Sequence, residues 1–294
     1  RFANEFDVTR ILGIGGGGCV FEAKNLLDEW KYAVKRIAVD PNEAKIKKTL
    51  REVRAMARLD HSHIISYNST WIEEPPEDWQ YDADDAILDK IKSKKRQLMI
   101  FFFQLDYNSN CVFIYIQMQL CNFSLAQWLG ENTTPESREP GRMKEWFRQI
   151  VRAVDYIHEK GLIHRDLKPS NILFTEENRL KICDMGIVIE RRMENGQEQT
   201  ITHIGSGTTE YMSPEQFDRL KICDLGIATV RKVDGSALTD LTRTNIGTML
   251  YMSPEQIAFI SKYGSKTDVF SLGLILAELC IVMTTEERSK VWKS

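Results

Sequence analysis

A short run from His164 to Asn171 (HRDLKPSN) places three chemically distinct side chains at fixed offsets. Asp166 can accept the proton of an attacking hydroxyl, and Lys168 can neutralise charge on a phosphoryl group during its transfer. Asn171 offers an amide oxygen that can bind a magnesium ion bridging nucleotide phosphates. The spacing therefore predicts phosphoryl transfer from a nucleotide to a hydroxyl group.

A glycine-rich segment near the start of the chain is typical of a phosphate-binding loop. Residues 13–20 (GIGGGGCV) match G-x-G-x-x-G-x-V, with Gly13, Gly15 and Gly18 at the glycine positions and Val20 at the end. Glycine has no Cβ, so backbone amides at these positions can approach phosphate oxygens. Taken alone, such a loop is also compatible with a simple turn.

A lysine and a glutamate further along extend this nucleotide-binding pattern. Residues 32–35 (YAVK) are predicted to form a strand ending in Lys35, whose ammonium group can reach the alpha and beta phosphates. Glu52 lies in the segment 45–59, where apolar residues recur at helical spacing. Glu52 is therefore the candidate ion-pair partner of Lys35, and the alternative is a glutamate on a solvated helix face.

Two short strands and another acidic side chain follow the catalytic residues. Residues 172–174 and 180–183 are predicted to be strands joined by the turn at residues 175–178. The second strand leads into Asp184-Met185-Gly186, a variant of the metal-binding triplet D-F-G. The sequence therefore predicts Asp184 as a second oxygen ligand for the metal.

In this order the motifs resemble those of the eukaryotic protein kinases. Within that family the chain resembles the group that phosphorylates the alpha subunit of translation initiation factor 2, and most of all its endoplasmic-reticulum-stress branch, the pancreatic-ER-kinase-like enzymes. The segments that carry the resemblance are 20–25 (VFEAKN), 32–37 (YAVKRI), 71–79 (WIEEPPEDW), 115–121 (YIQMQLC), 211–216 or 251–256 (both YMSPEQ, after Glu210 or Leu250) and 270–276 (FSLGLIL).

The resemblance implies an α+β, bilobal fold. Residues 1–118 would form a small lobe with an antiparallel β-sheet and an insert at about 80–110, and residues 119–294 would form a mainly helical large lobe that is incomplete at its C-terminal end. The insert's charged part is predicted to be a solvated loop, and residues 98–103 to add a strand to the small-lobe sheet. An apolar helix over residues 268–283 would be the buried centre of the large lobe.

The resemblance also implies ATP and Mg²⁺ as cofactors, and Lys168-Pro169 implies serine/threonine specificity. The substrate would be the alpha subunit of translation initiation factor 2, in stress control of translation. Met118 would be the gatekeeper, and residues 119–121 the hinge that holds adenine. The implied ATP-binding residues are Gly13, Gly15, Gly18, Val20, Ala33, Lys35, Glu52, Met118, Gln119, Cys121 and Leu173.

An internal repeat doubles one part of the chain. Residues 179–216 recur as residues 219–256, so the metal-binding aspartate is present twice, as Asp184 and Asp224. A solenoid would need three or more units, which excludes that interpretation. We expect Asp184 to bind the metal and Glu255 of the second copy to close the activation segment, with the intervening residues looped out. The alternatives are that the second copy displaces the first and that the repeat joins two alternative segments through a splicing or gene-model error.

Two classes of function remain open at this stage. An active kinase is favoured because its expected residues are all present, namely Lys35, Glu52, Asp166, Lys168, Asn171 and Asp184. Three features favour a fragment or a catalytically impaired pseudokinase that acts by nucleotide binding or dimerisation. The activation segment is doubled, the chain ends about three helices before the family's large lobe does, and Gly17 stands where the phosphate loop often has an aromatic residue.

Composition limits the classes of binding partner and the cellular compartment that we expect for this chain. The chain has 294 residues, 43% of them hydrophobic, which is enough for two cores, and its net charge of −3 gives no reason to expect nucleic acid or an anionic membrane as a partner. Six cysteines occur without C-x-x-C pairs, which favours thiols in a reducing compartment. Residues 269–283 are too short an apolar run to cross a membrane. We expect a cytoplasmic location, and the resemblance implies the cytosolic domain of an endoplasmic-reticulum membrane protein as the alternative.

Two regulatory features are predicted from the resemblance. Arg165 precedes the catalytic aspartate, and a phosphorylated residue of the activation segment would pair with it, with Thr244 and Thr242 as the candidate acceptors. Arg1 and Glu5 resemble a pair that joins two small lobes back to back across a two-fold axis, so a homodimer is expected. An exposed terminal pair with no such role is the alternative.

Overall fold

The computed structural model describes residues 1–15, 18–74, 111–184, 189–194, 197–200, 251–253, 264–283 and 287. Among these, residues 1–58 and 66–120 form one compact unit, and residues 59–65 join those from 121 onward in the second. The first unit is built on an antiparallel sheet and the second contains the long helices, which confirms the predicted α+β class. The proposed boundary after residue 118 stays a prediction, and the insert at 80–110 lies outside the described residues.

The first unit contains a five-stranded sheet in the order β1-β2-β3-β5-β4, in which every neighbouring pair is antiparallel. Its elements are α1 (Phe2–Glu5), β1 (Phe6–Gly15), β2 (Gly18–Asn25), β3 (Lys31–Val39), α2 (Glu43–Ala57), β4 (Tyr67–Glu73) and β5 (Val112–Gln119). The sequence predicted α2 as 45–59. The helix begins two residues earlier because Asn42 accepts a hydrogen bond from the backbone N–H of Ala44, as N-cap residues do.

An aromatic stack fixes the start of the chain on this sheet. The ring of Trp71 stacks between those of Phe6 and Tyr115, with centroid distances of 5.7 and 5.2 Å, and Phe2 stacks on Tyr115 at 4.9 Å. All four side chains are buried. Aromatic contacts of this kind stabilise a core beyond the area they bury. The guanidinium of Arg1 lies over the Trp71 ring at 4.6 Å, so the terminal segment is held against the outer strand.

The second unit contains the elements that carry the catalytic loop. They are β6 (Phe123–Ser124), α3 (Leu125–Glu131), α4 (Pro140–Glu159), β7 (Leu162–Ile163), β8 (Ile172–Phe174), β9 (Leu180–Ile182), β10 (Ile189–Glu194), β11 (Gln197–Thr200) and α5 (Lys266–Cys280), with 3₁₀ turns at Pro135–Ser137 and Pro169–Asn171. One small sheet has the order β6-β8-β9 and another β11-β10-β7. None of the helices within the described ranges is long and apolar enough to cross a membrane.

The strands predicted at 172–174 and 180–183 are present as β8 and β9 and pair antiparallel through Ile172 and Ile182. The predicted helix at 268–283 is α5, which starts two residues earlier and ends at Cys280. Its C-terminal carbonyls are capped from outside the helix, because the buried guanidinium of Arg138 donates to the backbone oxygens of Glu278 and Ile281. The strand predicted at 98–103 lies outside the described residues.

Candidate active site

The catalytic loop lies between β7 and β8 and brings its three predicted side chains together. The Lys168 ammonium donates to Oδ2 of Asp166 over 2.7 Å. The Asn171 amide donates to the same Oδ2 over 2.9 Å and to the backbone oxygen of Asp166 over 2.8 Å. The side chains of Asp166 and Lys168 keep 15% and 18% of their surface exposed, so a substrate hydroxyl can reach the carboxylate.

A buried aspartate on α5 holds the backbone of this loop. Asp268 is fully buried, and its two carboxylate oxygens accept the backbone N–H groups of His164 over 2.9 Å and Arg165 over 2.7 Å. His158 on α4 donates through Nε2 to Oδ2 over 2.8 Å. Arg165 has φ of +70°, a conformation that is costly for a residue with a Cβ. The three hydrogen bonds to Asp268 offset that cost and fix the residue that precedes Asp166.

The surroundings of Asp268 keep it ionised. Burial alone would raise the pKa of this carboxyl, but the hydrogen bond from His158, the electrostatic influence of the His164 ring and the two backbone N–H donors outweigh burial, so the pKa lies below its ordinary value. A charged acceptor makes stronger hydrogen bonds to the loop than a neutral one.

Sequence reasoning missed the roles of Asp268 and His158. The sequence signal that could have revealed them is Asp268 itself, an acidic residue in the first turn of a mainly apolar helix. Such a residue is expected to be buried, and a buried charge requires hydrogen-bond partners. The sequence does not show which partners those are.

The two proposed metal ligands are held by one hairpin. The backbone N–H of Cys183 donates to the backbone oxygen of Asn171 over 2.9 Å, and Asp184 is the next residue. The ring of His164 bonds through Nε2 to the Cys183 oxygen over 3.1 Å, which ties the same strand end to the catalytic loop. Asp184 is exposed and has φ of +60°. Strained backbone of this kind clusters at functional sites.

These residues fit a magnesium ion. Because the Asn171 nitrogen donates to Asp166, its amide oxygen is the atom suited to a metal, and Asp184 supplies a carboxylate. Mg²⁺ prefers oxygen ligands and is commonly bound by one or two protein side chains together with phosphate oxygens. In the part of the chain that the structure describes, no three His, Cys, Asp or Glu side chains cluster as a metal site, and a magnesium ion of this kind does not require one.

The sheet of the first unit aligns most of the predicted nucleotide-binding residues. Val20 on β2 pairs with Lys35 on β3, and Ala33 pairs with Met118 on β5. Ala33 and Met118 are buried, while Lys35 is partly exposed. The register of three neighbouring strands therefore places Val20, Lys35 and the gatekeeper position on adjacent strands. The backbone of Glu52 lies in α2, but its side chain is outside the described residues, so its pairing with Lys35 stays a prediction.

Gly18 opens β2 with a backbone that only glycine adopts easily. Its φ is +114°, and a Cβ built there would lie 2.2 Å from the carbonyl oxygen of Arg36, the residue after Lys35. The glycine therefore allows β2 to approach β3 beside the lysine, in addition to any approach of a phosphate.

We expect Gly18→Ala to destabilise the protein by about 1–3 kcal/mol, because the substitution combines a positive φ with a clash against backbone. Urea unfolding measures this loss. Gly13→Ala is the matched control for stability, since a Cβ at Gly13 meets nothing within 4 Å. Equal losses from the two variants would show that the contact with Arg36 does not constrain the strand.

The remaining predicted residues are distributed over both units. Gln119 ends β5, its backbone N–H donates to the Ser66 oxygen over 2.9 Å, and Cys121 is buried two residues later. Leu173 lies in β8, paired with Ser124 and Lys181. Four predicted positions lie outside the described residues, namely Asp224, Thr242, Thr244 and Glu255.

The structure pairs Arg1 with Glu5 inside one chain. The Arg1 guanidinium donates to the Glu5 carboxylate over 2.9 Å, and both side chains are substantially exposed, at 46% and 35%. An exposed pair one helical turn apart contributes little to stability. Reciprocal pairing across a dimer axis would have to replace this contact, and it stays a prediction.

Comparison with known proteins identifies the motif set. The family model described as "Protein kinase domain" matches residues 6–219 and again residues 216–291. The match divides at the junction of the two repeat copies, so the first match contains the first copy and the second contains the other.

The curated relatives of this chain include several protein kinases. The chain is 34% identical to the interferon-induced, double-stranded RNA-activated protein kinase of Rattus norvegicus, over 97% of this chain and 43% of that protein. It is 23% identical to eukaryotic translation initiation factor 2-alpha kinase 3 of Rattus norvegicus, over 97% of this chain and 39% of that protein. It is 27% identical to the eIF-2-alpha kinase GCN2 of Schizosaccharomyces pombe, over 99% of this chain and 20% of that protein. The chain thus spans less than half the length of these relatives. Because the identity to the interferon-induced kinase (34%) exceeds the identity to initiation factor 2-alpha kinase 3 (23%), the predicted membership of the endoplasmic-reticulum-stress branch is not confirmed.

Proposed function

This chain belongs to the protein kinase family, and on that premise we propose that it transfers the gamma-phosphate of ATP to a serine or threonine hydroxyl of a protein. The observation that carries the proposal is the convergence of Lys168 and Asn171 on the Asp166 carboxylate, on a loop fixed by Asp268. The same convergence favours catalysis over the pseudokinase alternative. A chain that only bound nucleotide would not need a base held in this way.

Each residue of the loop has a distinct task in this reaction. Asp166 orients the acceptor hydroxyl and accepts its proton as the bond to phosphorus forms. Lys168, which donates to Asp166, lies where it can also neutralise negative charge on the transferred phosphoryl group. Asn171 fixes the Asp166 carboxylate through its nitrogen and leaves its oxygen for the metal. The loop therefore acts mainly by positioning and by electrostatic stabilisation.

Protein kinases use ATP with Mg²⁺, and the residues present fit both. Asn171 and Asp184 would hold the metal, which when bound neutralises phosphate charge. Lys35 would bind the alpha and beta phosphates, and the loop of Gly13, Gly15 and Gly18 would supply backbone amides to them. Met118, Gln119 and Cys121 would contact the adenine.

The proposed substrate is the alpha subunit of translation initiation factor 2. Two of the three relatives named above carry that subunit in their names, and they align over nearly the whole of this chain. The endoplasmic-reticulum-stress branch, a cytoplasmic location and a homodimer joined through Arg1 and Glu5 remain parts of this proposal. The five cysteines within the described residues are free thiols, which suits a reducing compartment.

The test is phosphate transfer from labelled ATP to the purified alpha subunit by the full-length protein. We expect Asp184→Ala to eliminate transfer, because the backbone of Cys183, the residue before Asp184, is hydrogen-bonded to that of Asn171, so the two proposed metal ligands lie on adjoining chain segments. Asp224→Ala is the matched control from the second repeat copy, and we expect it to retain activity.

The opposite pattern, with loss only in Asp224→Ala, would show that the second copy supplies the metal ligand. If the parent transfers phosphate to a generic basic protein and leaves the alpha subunit unmodified, the kinase activity stands and the proposed substrate is wrong.

A further inference from the structure

One hexapeptide occurs twice in this chain. Residues 211–216 and 251–256 both read YMSPEQ, whereas the residues before them differ, with Glu210 before the first copy and Leu250 before the second. Any site on the protein that recognises this hexapeptide therefore has two ligands of identical chemistry on the same chain. The structure describes such a site for residues 251–253 of the second copy.

The second copy is held by two polar side chains of α5. The Ser271 hydroxyl donates to the backbone oxygen of Tyr251 over 2.8 Å. The Tyr251 hydroxyl donates to the carboxylate of Glu278. Tyr251 keeps 9% of its surface exposed and Ser253 is fully buried, so the segment is packed into the second unit and not laid on its surface.

The two α5 residues form a built binding site. Ser271 and Glu278 are seven positions apart, which is about two helical turns, so they lie on the same face of α5. They are 3% and 2% exposed in a helix that is otherwise mainly apolar. The Arg138 guanidinium donates to the backbone oxygen of Glu278. A buried carboxylate is costly unless donors satisfy it, and the Tyr251 hydroxyl is one such donor to Glu278.

We infer that this face, which we call the tyrosine dock (Ser271 and Glu278), binds either copy of the hexapeptide. In a second state Tyr211 replaces Tyr251 and makes the same two hydrogen bonds, because the docked residues are identical. Asp184 belongs to the β8–β9 hairpin and keeps its place in both states. The copy that occupies the dock therefore determines how many residues lie between Asp184 and the docked tyrosine. This inference rests on the proposed function, because the activation segment whose length changes belongs to the proposed kinase site.

Chain connectivity permits both states. With Tyr251 docked, about 67 residues separate Asp184 from the dock and about 15 separate the dock from Lys266, and with Tyr211 docked the separations are about 27 and 55. Closure entropy depends on the logarithm of loop length, so the two arrangements differ by only about twofold in population. Local sequence then decides the balance. Glu210 would bring a second carboxylate toward Glu278, whereas Leu250 would not, so the second copy is favoured.

Hydrogen–deuterium exchange of the full chain tests this inference without requiring catalysis. In the parent, peptides covering 249–253 should exchange slowly. Tyr251→Phe removes a hydroxyl that donates to Glu278, and we expect protection to move to peptides covering 209–213, with a shift in population of about tenfold or more. Tyr211→Phe is the matched control and should leave the protection of the second copy as it is in the parent. If residues 209–213 gain no protection in Tyr251→Phe, the inference is wrong.

A deletion tests the same point by a different route. Removal of residues 217–256 leaves one hexapeptide, the first copy, joined directly to Ile257. We expect Tyr211 and its neighbours in that chain to be protected to the degree seen for Tyr251 in the parent, with α4 peptides as the internal standard for folding. A chain in which α4 keeps its protection while the remaining copy exchanges freely would show that the dock accepts only the second copy.

Discussion

Replacement of Asp166 by asparagine is expected to lower the rate of phosphate transfer by about 100- to 10,000-fold, the usual contribution of a positioned general base. The amide cannot accept the hydroxyl proton, and it also loses the charge that the Lys168 ammonium and the Asn171 amide now meet at 2.7 and 2.9 Å. ATP affinity should change little, since Asp166 acts on the acceptor. Single-turnover transfer together with ATP titration separates these two quantities.

Asp155→Asn provides a matched control for this prediction. Asp155 is an exposed aspartate on α4, so the same chemical change there should leave both the rate and the ATP affinity as in the parent. Loss of ATP affinity in Asp166→Asn equal to the loss in rate would assign Asp166 to nucleotide binding and contradict the proposed role.

The catalytic loop could be predicted because its chemistry is local in sequence. Asp166, Lys168 and Asn171 fall within six positions, so their identities and spacing alone bring them together. The β8–β9 hairpin was predictable for the same reason, since two short strands with a turn between them have little choice of partner.

The support for the loop could not be predicted, because it comes from far along the chain. Asp268 lies 104 positions after His164, and the sequence shows only an acid in an apolar helix. The contact between Tyr251 and Glu278 is also invisible in the sequence, because buried polar pairs follow no periodic pattern. The observed helix ends differ from the predicted ones, as at Asn42, because a helix end depends on the hydrogen bond of its cap residue. The apolar repeat, from which the ends were predicted, does not show that bond.

Asp268→Asn is expected to have the second large effect, because Asp268 holds the backbone of the catalytic loop. An amide has one acceptor oxygen, so at least one of the donors His158, His164 and Arg165 is left facing an NH₂ group or is left unsatisfied. We expect a loss of about 3–5 kcal/mol in the free energy of unfolding, typical of breaking a buried charged pair. The turnover number should fall further than the affinity for ATP, because the loop that holds Asp166 loses its support.

Urea unfolding and steady-state kinetics of Asp268→Asn measure the two losses separately. Glu159→Gln serves as the control, since Glu159 is an exposed acid at the end of α4, and it should match the parent in both measurements. A variant that unfolds like the parent would show that the backbone N–H groups of His164 and Arg165 find other acceptors.

The same variant should show a distinctive dependence on pH. The pKa of Asp268 is lowered in the folded state, since the donors around it outweigh its burial. A carboxyl with a lowered pKa contributes stability that is fully present above its ordinary value of 3.8 and is lost as pH falls through the folded value. The difference in unfolding free energy between the parent and Asp268→Asn should therefore be constant near neutral pH and shrink below about pH 3.8. Urea midpoints collected from pH 7 down to pH 3 would contradict this if the difference stayed constant throughout, because the stabilisation would then not depend on the ionised carboxylate.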